Sequence, residues 1–455
     1  MGDNFLKIVG ARILSEFNDL KRTPESAAQE LNFDEAFVNC VLNGEETKEN
    51  AFKLIHAMGE KYPIDIHDLF LVEDDSNNGV IIMREKESKS SSRVFSRPNR
   101  EGIRTPYYDY RDTSMSRLAP FKPEWIKELR IVDDNDPYNP DVVYNNGHFM
   151  HQMTFFIGPV NFYYEIGKKK YCVPMNTGDS NYITPFFRHS FTSRDKNELA
   201  LIIAVTFGGD VRRSQKEFYA LGNRATDNFS LDYRSNKANL ELILQHLRNE
   251  NITTDELHRI LESKNLSLDI NSLLSEEKEV SFEDLSTLAS LLNTEIGDLM
   301  IAQYKPDEEV VVRKCVEEDS YYYPSSDEKS YRIFPLARSS KMPLMKGFDI
   351  RILAKNNKIN NGFFSSLHQY AYNYGNCSIV IEWEIDENTY SDILNPGDSM
   401  YMQPFIRHSF NSLNGEEASI IALGVSGSVN LSAQRELSYF SDSGRVAHET
   451  RKWFD

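Results

Sequence analysis

Three histidines and a glutamine offer the plainest chemistry in this chain. His148, His151 and Gln152 fall within NNGHFMHQ (Asn145 to Gln152), and His189 lies in GDSNYITPFFRHSFTS (Gly178 to Ser193). Neutral imidazoles and a carboxamide oxygen can ligate a divalent first-row metal. Two nitrogens and one oxygen on one face leave three positions free, the arrangement with which a non-haem Fe(II) centre binds substrate and O2 together. The usual oxygen donor is a carboxylate; a carboxamide leaves the metal more positive and favours an anionic substrate. On a straight strand residues four apart are separated by about 13 Å, so His148 and Gln152 can share a metal only if the chain bends or bulges between them. His151 competes with Gln152 for the third place, and the residues alone leave that choice open.

The elements that must position these groups are read from a duplication. The sixteen residues from Gly178 return as GDSMYMQPFIRHSFNS, Gly397 to Ser412, with five letters changed. A Gly-Asp turn followed by apolar and polar alternation predicts a half-buried strand that delivers its His at a defined point. His189 then matches His408, His151-Gln152 matches His368-Gln369, and His148 meets Ser365. Loss of one donor in three predicts that only the first copy binds metal. By the same comparison, what both copies keep, His151 with His368 and Arg188 with Arg407, reads as structural.

Around these strands the text is first helical, from Phe5 to Phe70, with Thr23-Pro24-Glu25 as a start signal and Asn43-Gly44 as a stop. Asn239 to Met300 repeats that plan. Glu85 to Gly102 is polar and Ser-rich and reads as a linker or a loop over a site. An aromatic and basic cluster follows, with Arg100, Arg104, Tyr107, Tyr108, Tyr110 and Arg111. Short strands then recur between about Leu129 and Val211, and again between Tyr331 and Gly427, which implies a sandwich or barrel. The expected fold is α+β: a helix-turn-helix-like helical domain at 1–84, a catalytic β-barrel domain with its leading loop at 85–225, a second helical domain at 226–305 and a degenerate barrel at 306–455.

The formal net charge of −18 argues against a protein that works mainly by gripping phosphate backbones. Residues 1–75 hold 7 Lys or Arg against 16 Asp or Glu, and Asp34 to Leu42, where a recognition helix would lie, has no basic residue. A transcriptional regulator with a ligand-sensing barrel is therefore the weaker alternative. The apolar runs are too short to cross a membrane and the N-terminus lacks a signal-peptide pattern, so a cytoplasmic protein without membrane attachment is expected. Four scattered cysteines indicate no disulfide framework. The acidic helices suit subunit packing, and a homo-oligomer is expected.

The early and late His motifs resemble those of the cupin family, a small jelly-roll barrel holding a metal. With the tandem plan, NNGH and the GDS-to-His spacing, nearly the whole chain resembles the 2-hydroxyethylphosphonate dioxygenases and, more closely, the methylphosphonate synthases. Where the dioxygenases carry a Glu six residues before the late His, this chain has Ile183. The resemblance implies Fe(II) held by His148, Gln152 and His189, with Lys21, Arg100, Tyr108 and Asn145 holding the phosphonate and Asn181, Tyr182 and Ile183 as candidate pocket residues. It implies O2-dependent cleavage of the carbon-carbon bond of 2-hydroxyethylphosphonate to methylphosphonate and carbon dioxide or bicarbonate, the alternative being hydroxymethylphosphonate and formate.

Overall fold

The computed structural model describes residues 2–70, 72–235, 237–266, 268, 280–301, 308–353 and 357–448. Residues 1–207 and 312–455 form one compact unit and residues 208–311 another.

The larger unit opens with helices Gly2–Asp19, Pro24–Leu31, Glu35–Leu42 and Lys48–Lys61 around a core that includes Val9, Ile13, Phe17, Leu54 and Met58. The start signal works as its residue types dictate. Thr23 Oγ1 accepts the Ser26 N–H at 3.1 Å and Pro24 takes the first helical position, where its missing donor costs nothing. Asn43 caps the end of Glu35–Leu42.

The rest of this unit is two copies of an antiparallel β-sandwich. In the first, a sheet runs in the order Ser180–Ile183, His151–Ile157, Leu201–Phe207, Phe121–Glu128, Arg104–Asp112, Arg93–Pro98. A three-stranded sheet of Lys169–Met175, Val160–Ile166 and His189–Ser193 covers it, with Phe156 packed on Phe162 and Phe191. The second copy repeats this order as Ser399–Met402, His368–Tyr372, Ala418–Val425, Met345–Ile352, Lys329–Pro335, Tyr321–Pro324, under Asn388–Leu394, Ile379–Ile385 and Arg407–Ser412. Its core joins Ile350 and Ile420 of one sheet to Ile381 and Phe410 of the other.

Strand structure begins earlier than the expected Leu129. The stretch read as a linker, Glu85 to Gly102, holds a short helix, Glu85–Ser90, and the edge strand Arg93–Pro98. That strand is largely exposed on both faces, so no buried face imprints an apolar alternation on its sequence.

Each sandwich borrows its opposite edge from the other repeat. Val80–Met83, which follows the first helices, pairs with Ser399–Met402 of the second sandwich. Conversely, residues 312–313, the end of the strand Val310–Arg313, lie at the edge beside Ser180–Ile183 of the first. The duplicated Gly-Asp turn latches both exchanges. Asp179 accepts the Cys315 N–H at 2.9 Å and pairs with Lys314 at 2.8 Å, while Asp398 accepts the Glu85 N–H at 2.8 Å and pairs with Arg84 at 3.1 Å.

The smaller unit is helical, with Ala238–Asn249, Thr254–Ser263 and Phe282–Leu291 packed through Ile243, Leu257, Leu261 and Leu288. Thr253 and Ser281 cap the second and third of these helices. Among the described residues no helix is long and apolar enough to cross a membrane.

Candidate metal centre

The required bend lies just before the strand His151–Ile157. Gly147 has φ +75°, and a Cβ there would come within 2.5 Å of the Phe186 backbone, so only glycine lets this turn lie against it. Phe186 N–H then donates to the His148 carbonyl at 3.0 Å. The turn folds His148 back over the strand, and its Nε2 comes 3.0 Å from Gln152 Oε1.

The protons can be placed from the partners. His148 Nδ1 is 2.9 Å from the Met150 carbonyl, and His189 Nδ1 is 2.9 Å from the Phe187 carbonyl. Carbonyls only accept, so in its neutral form each ring carries its proton on Nδ1 and turns an Nε2 lone pair inward. Gln152 Nε2 donates to Thr154 Oγ1 at 2.9 Å, which directs Oε1 toward His148. A lone pair therefore faces a lone pair across 3.0 Å, an arrangement repulsive by itself and favourable around a cation. The His189 ring stands 5.1 Å from that of His148, centroid to centroid, at 83°. Burial pushes its pKa down to about 4, with the bond to the Phe187 carbonyl opposing the shift and the Arg97 charge adding to it, so it is neutral near pH 7 and ready to ligate. Two imidazole nitrogens and a carboxamide oxygen thus fit a divalent ion.

His151 points the other way. As the next residue along the strand it takes the opposite face, where Nδ1 bonds the Tyr182 hydroxyl at 2.7 Å and the ring stacks on Phe207 at 5.5 Å. His368 bonds Tyr401 at 2.8 Å in the second copy. Tyr182, a candidate pocket residue from sequence, is thereby placed away from Gln152. Ile183 and Asn181 share Gln152's face, paired in register with Gln152 and Thr154. Both are fully buried, and neither amide atom of Asn181 has a hydrogen-bond partner among the described residues.

Asn145 joins the two His motifs. Its Oδ1 accepts the N–H groups of Gly147 at 3.0 Å and His189 at 2.9 Å, and its Nδ2 lies 3.0 Å from His189 Nε2. Arg188 braces this loop by donating to the Asn145 carbonyl at 3.2 Å and pairing with Glu165 at 3.1 Å.

Of the other sequence candidates, Arg100 and Lys21 are not gathered here, whereas the Tyr108 hydroxyl lies against the strand of His189. Arg100 is 59% exposed and bonds Asp141 at 2.6 Å. Lys21 lies beyond the first helix in a left-handed conformation, with Nζ donating to the Asn18 carbonyl at 3.1 Å. The Tyr108 hydroxyl accepts the Phe191 N–H at 3.0 Å, a bond that Tyr331 repeats with Phe410 in the second copy. What the structure brings instead is Arg97, whose guanidinium lies 5.3 and 5.2 Å from the Tyr107 and Tyr108 rings. It donates to the Val143 carbonyl at 2.9 Å. Tyr110 and Glu128 are its neighbours: Arg97's charge acts on both, and burial raises both pKa values. The ladder registers make Tyr108 equivalent to Tyr331 but Tyr110 equivalent to Ile333. Comparing the halves at these positions is the signal that would have selected Tyr110.

No protein-family model matches the chain. It is 37% identical to the methylphosphonate synthase of Nitrosopumilus maritimus (strain SCM1), over all of this chain and 97% of that one. Among solved structures it resembles Streptomyces albus 2-hydroxyethylphosphonate dioxygenase with 2-hydroxyethylphosphonate and Fe(II) bound. The TM-score is 0.89 at 30% identity, covering 99% of each chain. PhpD with cadmium, at TM-score 0.71 and 17% identity over 97% of this chain and 99% of that one, shares the fold.

Proposed function

Because this chain belongs to the methylphosphonate synthase family, we propose that it is an iron-dependent oxygenase that converts 2-hydroxyethylphosphonate and O2 to methylphosphonate and carbon dioxide or bicarbonate. One substrate and one O2 give methylphosphonate, CO2 and water, so no external reductant is required. The observation that carries the reading is the meeting of His148 Nε2 with Gln152 Oε1 beside His189. His148, Gln152 and His189 would hold Fe(II), which when bound supplies the centre for O2 activation. Each β-sandwich is read as a cupin barrel following its helical domain, with segments at 1–84, 85–225, 226–305 and 306–455, and the assembly as a homo-oligomer.

The chain's own groups account for substrate hold. Arg97 supplies the forked charge for a phosphonate in place of Arg100, whose guanidinium is taken by Asp141. Asn145 presents its amide N–H beside His189, and Asn181 offers an unpaired amide on the Gln152 face. Lys21 remains a proposed phosphonate contact on family resemblance alone. Ile183 opposite Gln152 provides an apolar wall where a carboxylate would compete for the metal.

The test is anaerobic loading with Fe(II) and 2-hydroxyethylphosphonate, exposure to O2 and phosphorus NMR. Methylphosphonate is the expected signal. Dominant hydroxymethylphosphonate would transfer the chain to the dioxygenase reaction, and unreacted substrate would remove both.

A further inference from the structure

The second sandwich holds a partly open cavity of about 320 Å³ at the place topologically equivalent to the metal centre. Its walls can be compared with the first sandwich position by position. Gln152 pairs with Thr206 and Thr206 with Lys122; Gln369 pairs with Gly424 and Gly424 with Lys346. Lys346 is therefore the counterpart of Lys122. Two residues on, Phe348 replaces Glu124. On the next strand Ile333 replaces Tyr110, and on the edge Tyr321 replaces Arg93. Ser365 stands for His148, and the Phe363 ring leans on His408 at 5.6 Å.

Polar and charged positions have thus become apolar ones around a space that has stayed open. One cation persists. Lys346 lies on the same strand face as Phe348 and Ile350, lines the cavity, and has no hydrogen-bond or ion-pair partner among the described residues. His408 Nδ1 is committed to the Ile406 carbonyl at 3.1 Å, which leaves its Nε2 as an acceptor on the cavity wall. An aromatic-lined cavity of this size with few polar groups is the usual form of a small-molecule site.

We propose that the second sandwich binds a small aromatic carboxylate, its ring among Tyr323, Phe348, Phe363 and Phe410 and its carboxylate on Lys346. A single cation matches a monoanion. A phosphonate dianion would lack a second positive partner, since among the described residues no Arg and no other Lys line this space. The walls favour a planar ring, which stacks on aromatic faces.

The experiment is fluorine NMR titration of the full-length chain with 4-fluorophenylacetate. One saturable equivalent is expected, undisplaced by excess 2-hydroxyethylphosphonate. Lys346→Met should weaken binding at least tenfold while leaving 4-fluorophenylacetamide binding within twofold. Ala422→Trp, which fills the cavity, should abolish both. Absence of saturable binding, displacement by 2-hydroxyethylphosphonate, or equal affinity in Lys346→Met would each overturn the proposal. Should Ala422→Trp fail to fold, the Lys346→Met comparison decides alone.

Discussion

Gln152 Oε1 stands 3.0 Å from His148 Nε2, while His151, one residue earlier on the same strand, is turned to the other face and bonded to Tyr182. The neighbour chosen by this geometry is testable by metal content. His148→Ala and His189→Ala should leave little bound iron after desalting, and Gln152→Ala should retain it poorly. His151→Ala should keep its iron and instead lose about 1–3 kcal/mol of stability in urea, the cost of an unmade buried hydrogen bond. Iron lost from His151→Ala and kept by Gln152→Ala would reverse the assignment.

Metal should bind once per chain. Chelation and Fe(II) titration should give one equivalent, and Ser365→His should not raise it to two, because the Phe363 ring stays beside His408. Two equivalents in the unaltered chain would contradict the division of labour between the sandwiches.

Arg97 and Arg100 should separate in kinetics. Loss of charge-assisted hydrogen bonds costs about 1.5–3 kcal/mol, so Arg97→Ala should lower kcat/KM for 2-hydroxyethylphosphonate by about ten- to a hundredfold. Arg100→Ala, at an exposed pair with Asp141, should stay within about twofold. The reverse ranking would restore Arg100 to the site.

Glu128 makes stability depend on pH. Its carboxyl is buried with neither oxygen hydrogen-bonded, and burial pushes its pKa well above the ordinary value, with Arg97 pulling partly back. It keeps its proton to a higher pH in the folded chain than in the unfolded one, where it ionises above about pH 4.3. This contribution is therefore full in acid and is lost as pH rises through the folded pKa. Glu128→Gln, neutral throughout, should match the parent near pH 4 and gain on it steadily toward pH 8 in urea denaturation. A constant difference across that range would show that ionisation is not involved.

The Gly-Asp latches should act on the exchanged edges. Asp179→Ala removes acceptors from the N–H groups of Cys315 and Asn176 and from Lys314. A loss of about 1.5–3 kcal/mol is expected for hydrogen bonds to a buried charge. Limited proteolysis near residues 312–316 should quicken in this variant, and near 80–92 in Asp398→Ala. Unchanged cleavage would separate the aspartates from the exchange.

The duplication made much of this legible. Two copies of one strand exposed His189 and His408 as equivalents, and Ser365 in place of His148 is the reason metal is expected in the first copy alone. The same comparison anticipated the structural place of His151. Arginine choice was not legible: Arg93, Arg97, Arg100 and Arg104 crowd one hairpin, and a register shift between Phe95 and Ser96 decides which one turns inward. Simple alternation cannot register a bulge. Tyr108 and Tyr110 share a strand face, so only the three-dimensional register shows that Tyr331 repeats the first and Ile333 replaces the second.

Glu85 and Asp398 meet across 313 residues of chain, and that distance sets an order of assembly. A chain emerging from the ribosome has Val80–Met83 in hand long before Ser399–Met402 exists to receive it. The edge must wait through the synthesis of both sandwiches, since loops this long close late in folding. The two exchanges therefore close at different times: the first sandwich can take its edge once residues 312–313 are made, whereas Val80–Met83 waits for Ser399–Met402.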